Sequence, residues 1–124
     1  MITYRKGNSV LIQPKGHLDL EGGMTLKHKL TEVICDRHDL CIVDLTEVEF
    51  IDSAGLTALI YGLNLALENG CRLTLHNPHP SVKLVFEITQ LDQVFEIVES
   101  TQLEQDFSAM PELIFTAVPL VSAA

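Results

Sequence analysis

The run Phe50-Ile51-Asp52-Ser53-Ala54-Gly55-Leu56 sets an acid, a hydroxyl and a glycine between an apolar stretch and the start of a helical pattern. The chemistry open to such a junction is acceptance of a phosphoryl group. A helix start has unpaired backbone N–H groups and the positive end of the macrodipole, so a charged group on Ser53 is tolerated there. Phosphorylation would add about −1.5 to −2 charge and three acceptor oxygens. The structural alternative is an ordinary N-cap, in which an Asp or Ser before an apolar helical run contributes about 1 kcal/mol.

Catalysis by Ser53 finds no support. A nucleophilic serine needs a base in reach and an oxyanion site. Ile51 stands two residues before Ser53, so there is no Gly-x-Ser-x-Gly elbow, and no histidine falls in a recognisable partner motif. A phosphate-cradling glycine loop of the Walker type is also missing, which argues against ATP hydrolysis by this chain. No enzymatic activity is expected.

Metal and cofactor sites are not expected either. His76 and His79 have the spacing His-x-x-His, but Pro78 and Pro80 make the passage a rigid loop and further ligands are missing, so solvated loop histidines are expected. His17, His28 and His38 are scattered, and surface or partly buried roles suffice for them. Cys35, Cys41 and Cys71 are odd in number and show no Cys-x-x-Cys spacing, which favours free thiols in a reducing compartment. Cys41 and Cys71 each open an expected strand and should be buried as small apolar residues.

The elements that must position Ser53 follow from periodicity. Ile2 to Lys6 and Val10 to Pro14 read as strands around the turn Gly7-Asn8-Ser9. Leu26, Leu30, Val33 and Ile34 recur at helical spacing, so a helix should cover most of Leu20 to Asp36. Gly22-Gly23 sits in its first turn, where each glycine costs about 1 kcal/mol relative to alanine, and places the ordered start near Met24. Leu40 to Leu45 is nearly all apolar, as expected of a central strand covered on both faces.

After a connection from Thr46 to Ile51, Ser53 to Asn69 forms the clearest helix. Leu56, Leu59, Ile60, Leu63 and Leu67 share its core stripe, and Asn69-Gly70 stops it. Ser53, Thr57, Tyr61 and Leu65, each four apart, form an apolar-aromatic strip headed by a hydroxyl, which suits a partner. Cys71 to Leu75 is a strand, Pro80 to Ile88 a short helix, and Phe95 to Val98 a last strand. Thr101 with Glu104 makes a capping box for a closing helix that carries Leu103 and Phe107 and ends at Pro111. Strands alternating with helices imply an α/β domain with a largely parallel sheet and an N-terminal hairpin.

With 124 residues, 47% of them hydrophobic, the chain suits one domain with a real core. A net charge of −9 argues against binding nucleic-acid phosphates or anionic membranes and favours a basic patch on a protein partner. No secretory leader is evident, so a cytoplasmic location is expected. Leu113 to Val121 is the most apolar late segment, but Thr116 and Pro119 interrupt it and it falls short of the roughly 20 residues a membrane span needs.

Gly16-His17-Leu18-Asp19, Asp44-Leu45-Thr46-Glu47-Val48-Glu49-Phe50-Ile51 and Asp52-Ser53-Ala54-Gly55 together resemble the signature of STAS domains, in particular the small bacterial anti-sigma factor antagonists. The likeness extends over about Met1 to Phe107 and implies the same α/β order. A STAS domain at 1–110 and a C-terminal extension of unknown role at 111–124 are expected. The resemblance also implies a partner-switching signalling role. In that family the anti-sigma factor, acting as an ATP-dependent serine/threonine kinase, phosphorylates the serine of this motif. The unmodified form binds that kinase and frees the sigma factor, and a serine phosphatase resets the switch.

Carried over by motif, Ser53 is the phosphoacceptor, Asp52 the acidic neighbour, and Gly55 the residue that allows close backbone approach. Asp19 is the acidic residue of the preceding loop. The partner surface expected is therefore Asp19, Asp52, Ser53, Gly55, Thr57 and Tyr61, with self-association left open. Ala54 stands where many relatives have a second hydroxyl, and Gly22-Gly23 departs from the usual pattern near Asp19.

Two other signalling readings compete. A receiver domain has similar length and alternation, and Asp44 and Lys83 echo parts of its pattern, but Gln13-Pro14-Lys15 stands where its acidic pair should be. A STAS module used as a scaffold or as an accessory subunit of a stress-signalling or transport complex, without a dedicated sigma factor, matches the same motifs. There Ser53 is a binding-surface residue with or without phosphate.

Overall fold

Gly7 takes φ +59°, and this left-handed residue lets β1 (Ile2–Lys6) reverse into β2 (Ser9–Gln13) with Lys6 opposite Ser9. The computed structural model describes residues 1 to 99 and 118 to 119. After β2 come β3 (Gly16–Leu18), α1 (Leu20–Cys35), β4 (Leu40–Asp44), β5 (Val48–Ile51) and α2 (Ser53–Glu68). β6 (Arg72–His76), α3 (Pro80–Ile88), a 3-10 turn (Leu91–Gln93) and β7 (Glu96–Val98) follow, and β8 (Val118–Pro119) lies far along the chain.

Six strands form the main sheet in the order β7-β6-β4-β2-β1-β8. β2, β4, β6 and β7 run parallel, with α1, α2 and α3 as the crossovers, and the hairpin adds β1 antiparallel at one side. This is the mixed, mostly parallel α/β architecture that the alternation implies. The closing helix expected at Thr101 to Phe107, its stop at Pro111, and the extension 111–124 apart from the β8 backbone lie outside the described residues.

Alternation along the strands sorts the core onto two faces. Val10, Ile12, Cys41, Val43, Leu73 and Leu75 pack with Leu26 and Leu30 of α1, Leu56 and Leu59 of α2, and Val82 and Phe86 of α3. Leu11, Leu40 and Ile42 point to the other face, where Tyr4 packs against them.

Four expectations need correction. The connection from Thr46 to Ile51 contains β5, which pairs in parallel with β3 as a separate two-stranded sheet. Strands this short leave no periodic trace, and each is stable only because the other is beside it. Next, α1 starts at Leu20, not near Met24, because the Asp19 side chain caps it by accepting from the Gly22 N–H at 3.0 Å.

On α2, Leu67 is 70% exposed, and the buried stripe continues through Gly62 and Ala66 instead. A Cβ on Gly62 would lie 2.6 Å from Leu30 Cδ1, so small residues are what let α1 and α2 approach. Finally, His76 is not a solvated loop residue. It closes β6 at 2% exposure, its Nε2 2.9 Å from the Thr74 hydroxyl, while His79 is exposed.

Candidate functional site

Two strand-to-helix junctions lie side by side. β3 runs through Asp19 into α1, and β5 runs through Asp52 into α2. The caps have the same chemistry: each is an aspartate in extended conformation whose carboxylate accepts first-turn N–H groups. Asp52 Oδ1 takes Ala54 N–H at 2.9 Å and Gly55 N–H at 3.2 Å, and the Asp52 carbonyl takes Leu56 N–H at 2.9 Å. The junctions are joined by the Asp52 N–H donating to the Leu18 carbonyl at 3.2 Å.

Glycine makes this closeness sterically allowed. A Cβ on Gly55 would stand 2.1 Å from the Leu18 carbonyl oxygen, and one on Gly22 would stand 2.2 Å from that of His17. A Cβ on Gly23 would meet the Ala54 carbonyl at 3.0 Å. The Gly22-Gly23 pair that looks unfavourable for a helix is thus what lets the first turns of α1 and α2 sit against their neighbours.

Ser53 is the first residue of α2 and is exposed. Its backbone carbonyl accepts from the Thr57 hydroxyl at 2.7 Å. Of the first-turn donors at this helix start, the Ala54 and Gly55 N–H groups are already taken by the Asp52 carboxylate. A phosphoryl group on Ser53 would either displace that carboxylate or stay in solvent beside it. In both cases its charge adds to that of Asp52.

The expected partner residues separate into three environments. Asp19, Asp52 and Gly55 build the junctions, with both aspartates half-buried and Gly55 buried. Ser53 and Thr57 are exposed one turn apart. Tyr61 is half-buried, and its hydroxyl lies 3.4 Å from the Thr31 hydroxyl of α1. The Lys27 ammonium sits 4.5 Å from the centre of the Tyr61 ring, a cation–π contact. Tyr61 therefore belongs to a groove of about 570 Å³ between α1 and α2, lined also by Met24, His28 and Glu32.

Sequence reasoning missed the apolar part of the same surface. Leu20 is 68% exposed, Met24 64% and Phe50 47%, and the His17 ring meets the Phe50 ring edge-on at 5.4 Å between centroids. Those residues flank the junctions on α1, β3 and β5. The available signal was Leu20 and Met24 four apart, outside the stripe of Leu26, Leu30 and Val33. A shallow depression of about 300 Å³ lies beside Asp19, with Lys15, His17, Glu21 and Thr25 on its wall. Among the described residues no group of three or more His, Cys, Asp or Glu is placed to hold a metal ion. No described helix is long and apolar enough to cross a membrane.

Residues 2–99 match the family model described as "Mlab, STAS domain". Solved structures give the same fold. A Thermotoga maritima protein described as an anti-sigma factor antagonist aligns at 22% identity over 83% of this chain and 90% of its own, with a TM-score of 0.74. The anti-sigma factor antagonist SpoIIAA in its unphosphorylated form aligns at 22% identity over 83% and 89%, with a TM-score of 0.69. SpoIIAA of Bacillus in its phosphorylated form aligns at 20% over 86% and 98%, with a TM-score of 0.64. A sulfate transporter family protein from Wolinella succinogenes aligns at 17% identity over 73% and 76%, with a TM-score of 0.66.

Proposed function

The chain belongs to the STAS domain family, and from that membership we propose that it is a phosphorylation-regulated anti-sigma factor antagonist of the bacterial cytoplasm. In its unphosphorylated form it binds an anti-sigma factor serine kinase. Phosphorylation of Ser53 releases it, and a serine phosphatase restores it. The observation that supports this most is the exposed Ser53 at the first position of α2, next in the chain to the capping Asp52, with exposed apolar Leu20, Met24 and Phe50 on the elements that enter the same pair of junctions. The names of the structural relatives agree, since SpoIIAA has been solved with and without phosphate.

The mechanism is blocked docking. In this reading Leu20, Met24 and Phe50 supply the area that a partner desolvates, and Ser53 and Thr57, exposed one turn apart on α2, belong to the same interface. A phosphoryl group there must be stripped of water beside an existing carboxylate. Removing about 3 to 4 kcal/mol of binding free energy weakens a complex several-hundred-fold, a magnitude that one desolvated charge supplies.

Phosphosite mapping on protein isolated from its own cells, with and without stress, tests this reading. A condition-dependent phosphoryl group on Ser53 is expected. With the kinase that co-purifies, Ser53→Ala should keep binding and lose phosphorylation, whereas Ser53→Asp should bind at least tenfold more weakly. Unmodified Ser53 in every state, or equal binding by both variants, overturns it.

A second use of the domain, as an accessory subunit of a transport complex or a scaffold in a stress-signalling assembly, is favoured by the transporter relative, whose TM-score of 0.66 is close to that of SpoIIAA. Recovery of a transporter subunit in place of a kinase-like ATPase by affinity purification selects it.

A further inference from the structure

Charge is unevenly spread along α1. Its first turn carries Glu21 and is capped by Asp19, with Asp52 at the neighbouring junction. The run Lys27-His28-Lys29 begins six residues after Glu21, roughly 9 Å further along the axis at about 1.5 Å per residue. In a chain with 8 Lys and Arg against 17 Asp and Glu, that run is a local basic exception.

The basic run borders the groove between α1 and α2. Lys27 is exposed and forms no salt bridge among the described residues, and its ammonium is held 4.5 Å from the centre of the Tyr61 ring. An ammonium carries three N–H donors and the ring covers only one side of it, so Lys27 keeps donors for an anionic group. The acid on the groove wall, Glu32, is paired with Lys29 at 3.7 Å. Met24 and Tyr61 add apolar area, and a second depression of about 350 Å³ shares Met24, His28 and Glu32 with the groove, so the hollow continues across α1.

We propose that this groove is the docking surface for an acidic segment of the protein partner, with an Asp or Glu of that segment on Lys27 and an apolar side chain on Met24 and Tyr61. The inference rests on the reading that a protein partner covers the Ser53 surface, to which Met24 also belongs. Such a partner needs a basic group towards Asp19, Glu21 and Asp52 and an acidic one roughly 9 Å away, and this spacing sets the direction in which it lies along α1. The Tyr61 ring holds the Lys27 side chain in place beforehand, which lowers the entropy cost of pairing. A second copy of the chain is a poor occupant. Groove against groove about a two-fold axis sets Lys27, His28 and Lys29 against the same three residues of the other copy.

Carbodiimide cross-linking of the full chain with the kinase that co-purifies, followed by peptide mapping, tests this. An amide bond between the Lys27 amine and an Asp or Glu of that partner is expected. Lys27→Glu should bind the partner roughly tenfold more weakly, whereas Lys27→Arg, which keeps the charge, should lose the cross-link and bind within about twofold of the unaltered chain. Equal urea midpoints for the three proteins show that the fold is kept. Unchanged binding by Lys27→Glu overturns the inference, and if Ser53→Asp still weakens binding, the phosphoserine switch stands without it. Weakening by Lys27→Glu with normal binding by Ser53→Asp keeps the groove and removes the switch. Cross-links from Lys27 to a second copy alone, or to no protein, overturn the inference as well.

Discussion

The carbonyl oxygen of Leu18 stands 2.1 Å from the point where a Cβ on Gly55 would lie. The end of β3 and the first turn of α2 are therefore in backbone contact, with no side chain between them. This contact holds the two capped junctions in register.

Gly55→Ala should accordingly cost about 3 kcal/mol of stability, since backbone must move to admit the methyl. Gly62→Ala should cost clearly less, because the Leu30 side chain can shift and alanine favours a helix by about 1 kcal/mol over glycine. Urea unfolding of both variants checks this, and equal losses would contradict the assigned roles.

Asp52→Ala removes the acceptor for two first-turn N–H groups and should lower stability by about 1 kcal/mol. Asp52→Asn keeps an acceptor oxygen and should lose less. If the Asn variant unfolds as early as the Ala variant, charge and not hydrogen bonding would be the source of the effect.

Thiol reactivity should single out Cys35. That residue is exposed, while Cys41 and Cys71 are buried. Burial pushes the Cys41 thiol far above its ordinary range, and Cys71 is raised by burial and then by the Asp39 charge. Iodoacetamide on the native protein should add one label, and unfolding should admit all three. Rapid native labelling of Cys41 would mean that the central sheet opens readily.

Acid stability should depend slightly on Glu96. A hydrogen bond from Arg72 holds its carboxyl below the ordinary value of 4.5, with the Arg72 charge adding to the effect. Because the folded value is the lower one, the pair stabilises the protein above about pH 4.5, and that contribution is lost as pH falls through the folded value. Both side chains are largely exposed, so the gain is below about 1 kcal/mol. Glu96→Gln should flatten the stability profile below about pH 4.5, and an unchanged slope would show the bridge to be inert.

Long elements were legible in the amino-acid order because their information is local. Pro80 starts a helix through its fixed φ, Leu26 to Ile34 repeat at helical spacing, and Leu40 to Val43 form an apolar run, so α3 and β4 are legible close to their observed bounds and α1 at its C-terminal end. Ser53 was likewise placed correctly at the first position of α2, from an acid and a hydroxyl before an apolar run. What escaped depends on residues distant in the chain. β3 and β5 exist because Gly16–Leu18 and Val48–Ile51 pair with each other, and Gly22-Gly23 reads as a helix breaker until His17 and Ala54 are seen to crowd it.

The same division holds at the site. An acidic residue followed by a hydroxyl and a glycine is a local pattern, and it was sufficient to mark the junction. Whether first-turn donors stand open depends on where the Asp52 carboxylate turns, and whether Tyr61 faces outward depends on Lys27 and Thr31 of another helix. Packing assigned Leu67 to solvent and Gly62 to the helix contact, because the approach of α1 and α2 rewards small side chains over apolar ones. Hydrophobicity along a chain specifies which elements form, and the shapes that meet across the fold specify which of their residues face a partner.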